Sequence, residues 1–245
     1  MLGLPDQIKG CLFDLDGVLT PTAKVHSAAW KQMFDGFLRD RADEGGDEFR
    51  EFTPQDYSSY VDGKPRGDGI RSFLASRGIE LPDGDPDDGP EQETVNGLGA
   101  RKNALFTKVL GTDGVEAYPG SVDYVDAALA AGLQCAVVSS SANCRPVLEA
   151  AGIIDKFAAI VDGMVARRDH LAGKPAPDTF LAGAAALGLE PAACVVYEDA
   201  LAGVEAGAAG DFGLVVGVNR ADQADALAEH GADVVVDDLE ELIER

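Results

Sequence analysis

Short runs of apolar residues recur in both outer parts of this 245-residue chain. They are rich in Val, Ala, Leu and Ile, show no polar alternation, and cover residues 8–14, 133–139, 157–161, 194–198, 214–218 and 233–236. Continuous apolar runs of this length are typical of strands buried on both faces of a parallel sheet. Stretches with helical periodicity over 121–131, 145–151 and 179–187 separate several of them. The alternation predicts an α/β fold with a Rossmann-like, doubly wound parallel sheet.

The segment after the first predicted strand has a different pattern. Strand signal is almost absent there, and residues 25–39, 70–76 and 102–109 read as helices. In the first of these helices, Trp30 and the phenylalanines at 34 and 37 are available for packing.

A break in this helical segment is acidic and rich in Pro and Gly. It covers residues 80–93 (ELPDGDPDDGPEQE), and we expect an exposed loop. We therefore predict a core domain of residues 1–21 and 111–245, interrupted by a helical cap domain of residues 22–110. A mobile lid over an active site is one use of such an insert. A lobe that only packs on the sheet is the alternative.

The charge of the chain is strongly negative. Asp and Glu number 43 and Lys and Arg number 20, which gives a formal net charge of −23. This argues against non-specific nucleic-acid binding and against binding to an anionic membrane surface, since both need clustered cations. A small phosphate ligand stays possible, because a local cationic pocket outweighs the global field at short range.

The cysteines and the ends of the chain bear on the compartment. The four cysteines form no C-x-x-C pair, and Cys11, Cys135 and Cys194 lie in apolar runs. We interpret them as buried small hydrophobic residues in a reducing compartment. The sequence shows no signal peptide and no apolar run near the ~20 residues of a membrane span. We therefore expect a cytoplasmic protein.

Polar residues follow several predicted strands. Asp14 and Asp16 follow the first, the serines at 139–141 follow the second, and Glu198 and Asp199 follow a later one, with Lys174 between the last two. Taken singly, each is more typical of a turn, a helix cap or a solvated loop. Ligands bind at the carboxyl ends of strands in open α/β sheets, so the joint placement favours a site.

The chemistry of these residue types points to phosphoryl transfer. Clustered carboxylates repel one another unless a cation lies among them, and hard oxygen ligands favour Mg²⁺ over zinc. Lys174, a serine hydroxyl and nearby backbone amides are able to hold a phosphate dianion. One aspartate is then available to attack phosphorus, and a second carboxylate two residues on is available for acid–base work.

The same motifs resemble those of the haloacid dehalogenase superfamily. They are Asp14-Leu15-Asp16-Gly17-Val18-Leu19-Thr20, Ser139, Lys174-Pro175 and Glu198-Asp199, in the superfamily's order. The resemblance implies Asp14 as nucleophile, Asp16 as general acid/base, and Ser139 and Lys174 as phosphate-binding residues. It also implies that Asp14, the Asp16 backbone carbonyl and Asp199 bind Mg²⁺, with Glu198 supporting through water. The second aspartate favours phosphoryl transfer over carbon–halogen cleavage, because an alkoxide leaving group needs a proton and a halide does not.

A closer similarity, which covers almost the whole chain and extends into the cap segment, is to the β-phosphoglucomutase-like subfamily. The likeness rests on Thr22-Ala23-x-x-His26-x-x-x-Trp30, Val61-Asp62-Gly63-Lys64-Pro65-Arg66, Arg101-Lys102-Asn103, Ser139-Ser140-Ser141-Ala142-Asn143 and Gly173-Lys174-Pro175-Ala176-Pro177-Asp178. It implies that substrate contacts come from His26, Trp30, Gly63, Arg66, Lys102, Ser140, Ser141 and Asn143. The chain departs from the pattern at Pro21, at Ser140, at Ala142, at Lys64-Pro65 and in the acidic insertion. Since substrate choice lies in the cap, these departures bear on the sugar more than on the chemistry.

The resemblance implies a Mg²⁺-dependent enzyme acting on a small phosphorylated sugar. The main hypothesis is interconversion of β-glucose 1-phosphate and glucose 6-phosphate through an aspartyl phosphate on Asp14. A sugar-phosphate phosphatase with the same nucleophile is the second, and a sugar-phosphate sensor without catalysis is the third. We expect a monomer, because a core and a cap suffice for either reaction.

Overall fold

A computed structural model describes residues 2–45 and 48–243. The chain divides into two compact units. Unit 1 comprises Met1–Pro21, Gly63–Pro65 and Val115–Arg245, and unit 2 comprises Thr22–Asp62 and Arg66–Gly114.

The helices, in chain order, are α1 Thr22–Asp43, α2 Pro54–Asp56, α3 Arg66–Ser76, α4 Val95–Asp113, α5 Pro119–Ala130, α6 Cys144–Ala150, α7 Gly163–Arg168, α8 Asp178–Ala186, α9 Leu201–Ala209 and α10 Ala224–Glu229. A π-helical turn, Tyr57–Val61, continues α2. Short 3₁₀ turns cover Ile154–Lys156, Pro191–Ala193 and Leu239–Leu242. Among the residues described, none of these helices is both long enough and apolar enough for a membrane crossing.

The strands of unit 1 are β1 Gly10–Phe13, β2 Gln134–Val138, β3 Ala159–Val161, β4 Cys194–Glu198, β5 Leu214–Val218 and β6 Val234–Val236. Within the described residues they form one six-stranded sheet in the order β3-β2-β1-β4-β5-β6. Every neighbouring pair is parallel. This is the predicted doubly wound fold, and the strand order reverses between β1 and β4, where such sheets bind ligands.

The burial of the strands explains why they could be predicted from apolar runs in the sequence. All four residues of β1 and all five of β4 are buried, so each strand packs helices on both faces. On one face, Leu12, Val138 and Val196 form a cluster with Phe180 of α8. The sheet is therefore a rigid platform for the residues that follow its strands.

Unit 2 has a core of its own. Its buried residues include Trp30, Phe34, Phe37, Phe52 and Phe73, and Phe34 lies with its ring centroid 4.3 Å from that of Phe73. The predicted packing role of the three aromatic residues of α1 is confirmed. The helix itself is longer than the prediction, because it begins at Thr22 and ends at Asp43.

The helical segment formed by α2 and its π-helical turn was not predicted from the sequence. Thr53 caps it: the Thr53 hydroxyl accepts from the Asp56 amide at 3.1 Å, and the Asp56 carboxylate accepts from the Thr53 amide at 2.9 Å. Burial acts to raise the pKa of Asp56, but the hydrogen bonds from Thr53 and the Arg77 guanidinium, 2.9 Å away, hold that pKa below its ordinary value. The cap and the ion pair together fix the start of this segment.

The acidic insertion is the irregular, largely exposed stretch that its composition predicts. It has local order nonetheless. The Asp88 carboxylate accepts from the Thr94 hydroxyl at 2.6 Å and from the Asp85 amide at 3.1 Å. Thr94 in turn caps α4, which is longer than the predicted helix.

Candidate active site

Asp14 lies directly after the central strand β1. Its amide donates to the Tyr197 carbonyl of β4 at 2.9 Å, so the parallel ladder fixes its backbone. The chain then turns tightly, with the Gly17 amide donating to the Thr20 carbonyl at 2.7 Å. The sheet thereby places Asp14, only 7% exposed, at the point where the strand order reverses.

Lys174 connects the carboxyl ends of three strands. Its buried ammonium donates to Asp14 Oδ1 and to Glu198 Oε1, at 2.5 Å each, and to the Val138 carbonyl at 3.3 Å. These partners lie at the ends of β1, β4 and β2. The predicted convergence of Asp14, Lys174 and Glu198 is what the structure shows.

The electrostatics of this group are those of buried, opposed charges. Burial raises the pKa of Asp14 well above its ordinary value; the Lys174 ammonium acts to lower it, and the Glu198 and Asp16 carboxylates act to raise it. Burial acts to lower the pKa of Lys174, but Asp14 and Glu198 outweigh it and hold that pKa above its ordinary value. The two carboxylates therefore stabilise the charged form of Lys174, while burial and the neighbouring carboxylates disfavour the charged form of Asp14.

Asp14, Glu198 and Asp199 form an acidic cluster that fits a divalent cation. One carboxylate oxygen from each lies within 4.8 Å of the others, and all three residues are buried. Hard oxygen donors in this number suit Mg²⁺, and the carboxylates outnumber the single ammonium of Lys174. Asp16, half-buried, lies close enough to raise the pKa of Asp14.

Two glycines make room for this cluster, and the sequence alone did not predict a role for either of them. Gly17 has φ +100°, and a Cβ there would lie 1.8 Å from Asp199 Oδ2. A Cβ at Gly203 of α9 would lie 1.8 Å from Glu198 Oε1. Both positions exclude any larger side chain, because a carboxylate occupies the space.

The serines after β2 are fixed by local hydrogen bonds. Ser139 is buried, and its hydroxyl accepts from the Ser141 amide at 3.1 Å. The Ser141 hydroxyl accepts from the Asn143 amide at 3.1 Å. The Ser140 hydroxyl donates to the Gly63 carbonyl at 2.7 Å, which brings these two predicted site residues together in unit 1. Turn formation is thus shown for this segment, and phosphate binding by it stays a prediction.

In unit 2 the structure brings His26, Trp30 and Lys102 together. Lys102 is 3% exposed, its ammonium contacts His26 Nδ1, and it lies 5.2 Å from the Trp30 ring centroid and 5.0 Å from that of Phe106. Arg66 begins α3 and donates from Nη1 to the Gly99 carbonyl of α4 at 3.0 Å. The substrate contacts expected of these residues stay predictions.

Comparison with known proteins gives the family. The haloacid dehalogenase-like hydrolase family matches residues 8–211. A β-phosphoglucomutase of Mycobacterium tuberculosis is 56% identical over 99% of this chain and 94% of its own. Hexitol phosphatase A of Escherichia coli is 30% identical over 96% of this chain and 93% of its own. The crystal structure of β-phosphoglucomutase from Clostridium difficile superposes with a TM-score of 0.73 at 26% identity, covering 96% of this chain and 93% of that one.

A doubly wound sheet with these relatives belongs to an enzyme of the phosphotransferase or hydrolase type. The chain belongs to the haloacid dehalogenase superfamily, in its β-phosphoglucomutase-like subfamily. The resemblance that the motifs indicated is thereby confirmed.

Proposed function

We propose that this protein is a Mg²⁺-dependent β-phosphoglucomutase, which interconverts β-glucose 1-phosphate and glucose 6-phosphate. The observation that carries the proposal is the contact of one buried lysine, Lys174, with both Asp14 and Glu198 beside the acidic cluster. A nucleophilic carboxylate, a fixed cation and a divalent-metal site are the parts that phosphoryl transfer to an aspartate needs. The mycobacterial relative, named a β-phosphoglucomutase, supports the choice of reaction.

In the first half-reaction, an Asp14 carboxylate oxygen attacks the phosphorus on the C1 oxygen of the glucose bisphosphate, and glucose 6-phosphate leaves. The bond from phosphorus to the sugar oxygen breaks, and Asp16 gives that oxygen a proton. The Lys174 ammonium stabilises the negative charge on the phosphoryl group. Mg²⁺, when bound, would neutralise more of that charge. The product is an aspartyl phosphate on Asp14.

In the second half-reaction, the C6 hydroxyl group of β-glucose 1-phosphate takes the place of the leaving oxygen, and the bisphosphate re-forms. Asp16 accepts its proton as the hydroxyl oxygen attacks phosphorus, and the bond from phosphorus to Asp14 breaks. The resemblance assigns Arg66 and Lys102 to the second phosphate of the bisphosphate intermediate. It also implies that the predicted cap segment, residues 22–110, excludes water from the phosphorylated enzyme.

A sugar-phosphate phosphatase is the second candidate, favoured by the 30% identity to hexitol phosphatase A. It would use the same nucleophile, with water in place of the sugar hydroxyl in the second half-reaction. The two candidates differ in what the cap residues must do, because only the mutase has to hold a second phosphate.

Substitution of Arg66 tests the role that the mutase proposal gives to this residue. Under the mutase proposal, Arg66→Ala reduces mutase flux by at least about 10-fold, the scale of one lost charge-assisted contact, and leaves hydrolysis of a small phosphate ester unchanged. The matched control is Arg71→Ala on the same helix, whose exposed guanidinium pairs with Asp68 and Asp83. Equal loss of both activities in Arg66→Ala would contradict the role given to Arg66.

A further inference from the structure

The loop after β5, residues 219–223, contacts the backbone on both sides of the acidic cluster. Arg220 Nε donates to the Gly17 carbonyl at 2.9 Å. Gln223 Nε2 donates to the Asp199 carbonyl at 2.9 Å. One short loop thus contacts both the turn after Asp14 and the backbone of Asp199, two segments that lie more than 180 positions apart in the sequence.

Arg220 is itself firmly placed. Its Nη1 donates to the Asp237 carbonyl at 2.8 Å and to Asp238 Oδ2 at 3.0 Å. Its guanidinium carbon lies 3.9 Å from the ring centroid of Tyr118. A guanidinium fixed by two acceptors and an aromatic face has little rotational freedom left, so it holds the Gly17 carbonyl in one place.

Gln223 is placed by the same loop. The Gln223 backbone amide donates to Asn219 Oδ1 at 2.7 Å, and Asn219 Nδ2 donates to Asp237 Oδ1 at 2.8 Å. The segment that follows β6 therefore supports both contacts of the loop, the one with the Gly17 carbonyl and the one with the Asp199 carbonyl. This gives the loop a common anchor.

The turn after Asp14 also accepts hydrogen bonds from other parts of the chain. The Ser121 hydroxyl donates to the Val18 carbonyl at 2.6 Å, and the Tyr118 amide donates to the Leu19 carbonyl at 2.9 Å. Arg220 supplies a hydrogen bond of the same kind to the Gly17 carbonyl. The Asp199 carboxylate lies so close to Gly17 that a methyl group does not fit there. A shift of Gly17 therefore changes the space that Asp199 occupies.

We propose that Arg220 and Gln223 are positioning residues, which set the spacing between Asp14 and Asp199 and thereby the affinity of the acidic cluster for a divalent cation. The inference rests on the proposed function, in that the cluster is taken as a cation site. Neither residue touches the reacting atoms; each acts through a backbone carbonyl. Groups that orient metal ligands in this way are worth about 10–100-fold in metal affinity.

The sign of the effect distinguishes positioning from simple electrostatics. A guanidinium near a cation site repels the cation, so loss of its charge alone would tighten binding. Loss of the fixed geometry weakens binding. Arg220→Gln removes the charge and the geometry, whereas Arg220→Lys keeps the charge and removes the forked contacts.

The test is a titration of the metal-free protein with Mn²⁺ alone, followed by electron paramagnetic resonance without substrate. We expect Arg220→Gln and Arg220→Lys each to weaken Mn²⁺ binding by about 10-fold or more, and Gln223→Leu to weaken it in the same direction. Arg168→Gln is the control, since it removes one charge from a side chain that is 70% exposed and pairs with its neighbour Asp169. It should bind as the wild type does.

The outcomes separate the two claims. Tighter binding by Arg220→Gln with unchanged binding by Arg220→Lys would overturn positioning in favour of charge repulsion. Wild-type affinity in both Arg220 variants and in Gln223→Leu would overturn the inference alone. A wild-type protein that binds no Mn²⁺ would overturn the metal site of the proposed function and the inference with it. Circular dichroism checks the fold of each variant, and if the Arg220 variants do not fold, Gln223→Leu decides.

Discussion

Replacement of Lys174 by Met tests the electrostatics of the site. Met keeps most of the unbranched side chain and removes the ammonium, which leaves the buried Asp14 and Glu198 carboxylates without the cation that lies 2.5 Å from each. At an effective dielectric constant of about 20, each contact corresponds to about 7 kcal/mol of gross Coulomb attraction. Most of this is offset by the desolvation of the ammonium, and measured losses from breaking buried pairs are about 3–5 kcal/mol.

The assay is thermal unfolding of the metal-free protein, followed by circular dichroism. For a chain of this size, a loss of about 3–5 kcal/mol lowers Tm by about 6–20 °C. Added Mg²⁺ should raise Tm more in Lys174→Met than in the wild type, because the cation relieves repulsion that the lysine no longer relieves. Phosphoryl-transfer activity should be lost.

The matched control is Lys156→Met. Lys156 also pairs with an aspartate, Asp126, but their side chains are 28% and 52% exposed. An exposed pair is worth at most about 1 kcal/mol, so Tm should fall by only a few degrees. Equal Tm values for Lys174→Met and the wild type would refute the reasoning, as would an equal fall in both variants.

Three smaller predictions concern stability. Gly203→Ala should lower Tm despite the better helix propensity of alanine, because its Cβ would lie 1.8 Å from Glu198 Oε1. Gly36→Ala in α1, where a Cβ meets nothing within 4 Å, should stabilise by up to about 1 kcal/mol in the same assay. Asp56→Asn should cost about 1 kcal/mol at pH 7, since despite burial the capping hydrogen bonds and Arg77 hold the pKa of Asp56 below its ordinary value. A carboxylate whose pKa is lowered in the folded protein stabilises the fold at pH values above its unfolded pKa of about 3.9. The difference in stability between Asp56→Asn and the wild type should therefore vanish as the pH falls below that value. A difference that persists in acid would contradict an electrostatic cause.

The sheet was predictable because its strands are buried on both faces. Such strands appear in the sequence as apolar runs, and those over Cys194–Glu198 and Leu214–Val218 match the observed bounds. The partners of Lys174 were predictable for a related reason. Residues that follow parallel strands meet at one edge of the sheet, so Asp14 and Glu198 were expected near each other.

Other features were not predictable, because they depend on contacts between distant parts of the chain. The requirement for glycine at position 203 follows from the place of a carboxylate, and the contact of Arg220 with the Gly17 carbonyl joins two loops far apart in sequence. The missed helical segment after Thr53 is a different case. Its start is marked by a capping box, in which Thr53 is followed by Pro54 and by Asp56 at the third helical position. This signal is local, so the sequence alone was sufficient to predict the segment.

A ³¹P NMR time course shows directly whether the protein is a mutase or a phosphatase. The sample contains the protein, β-glucose 1-phosphate, Mg²⁺ and a trace of the glucose bisphosphate. We expect growth of glucose 6-phosphate without inorganic phosphate, and no reaction in Asp14→Asn. Growth of inorganic phosphate in place of glucose 6-phosphate would contradict the mutase and establish the phosphatase.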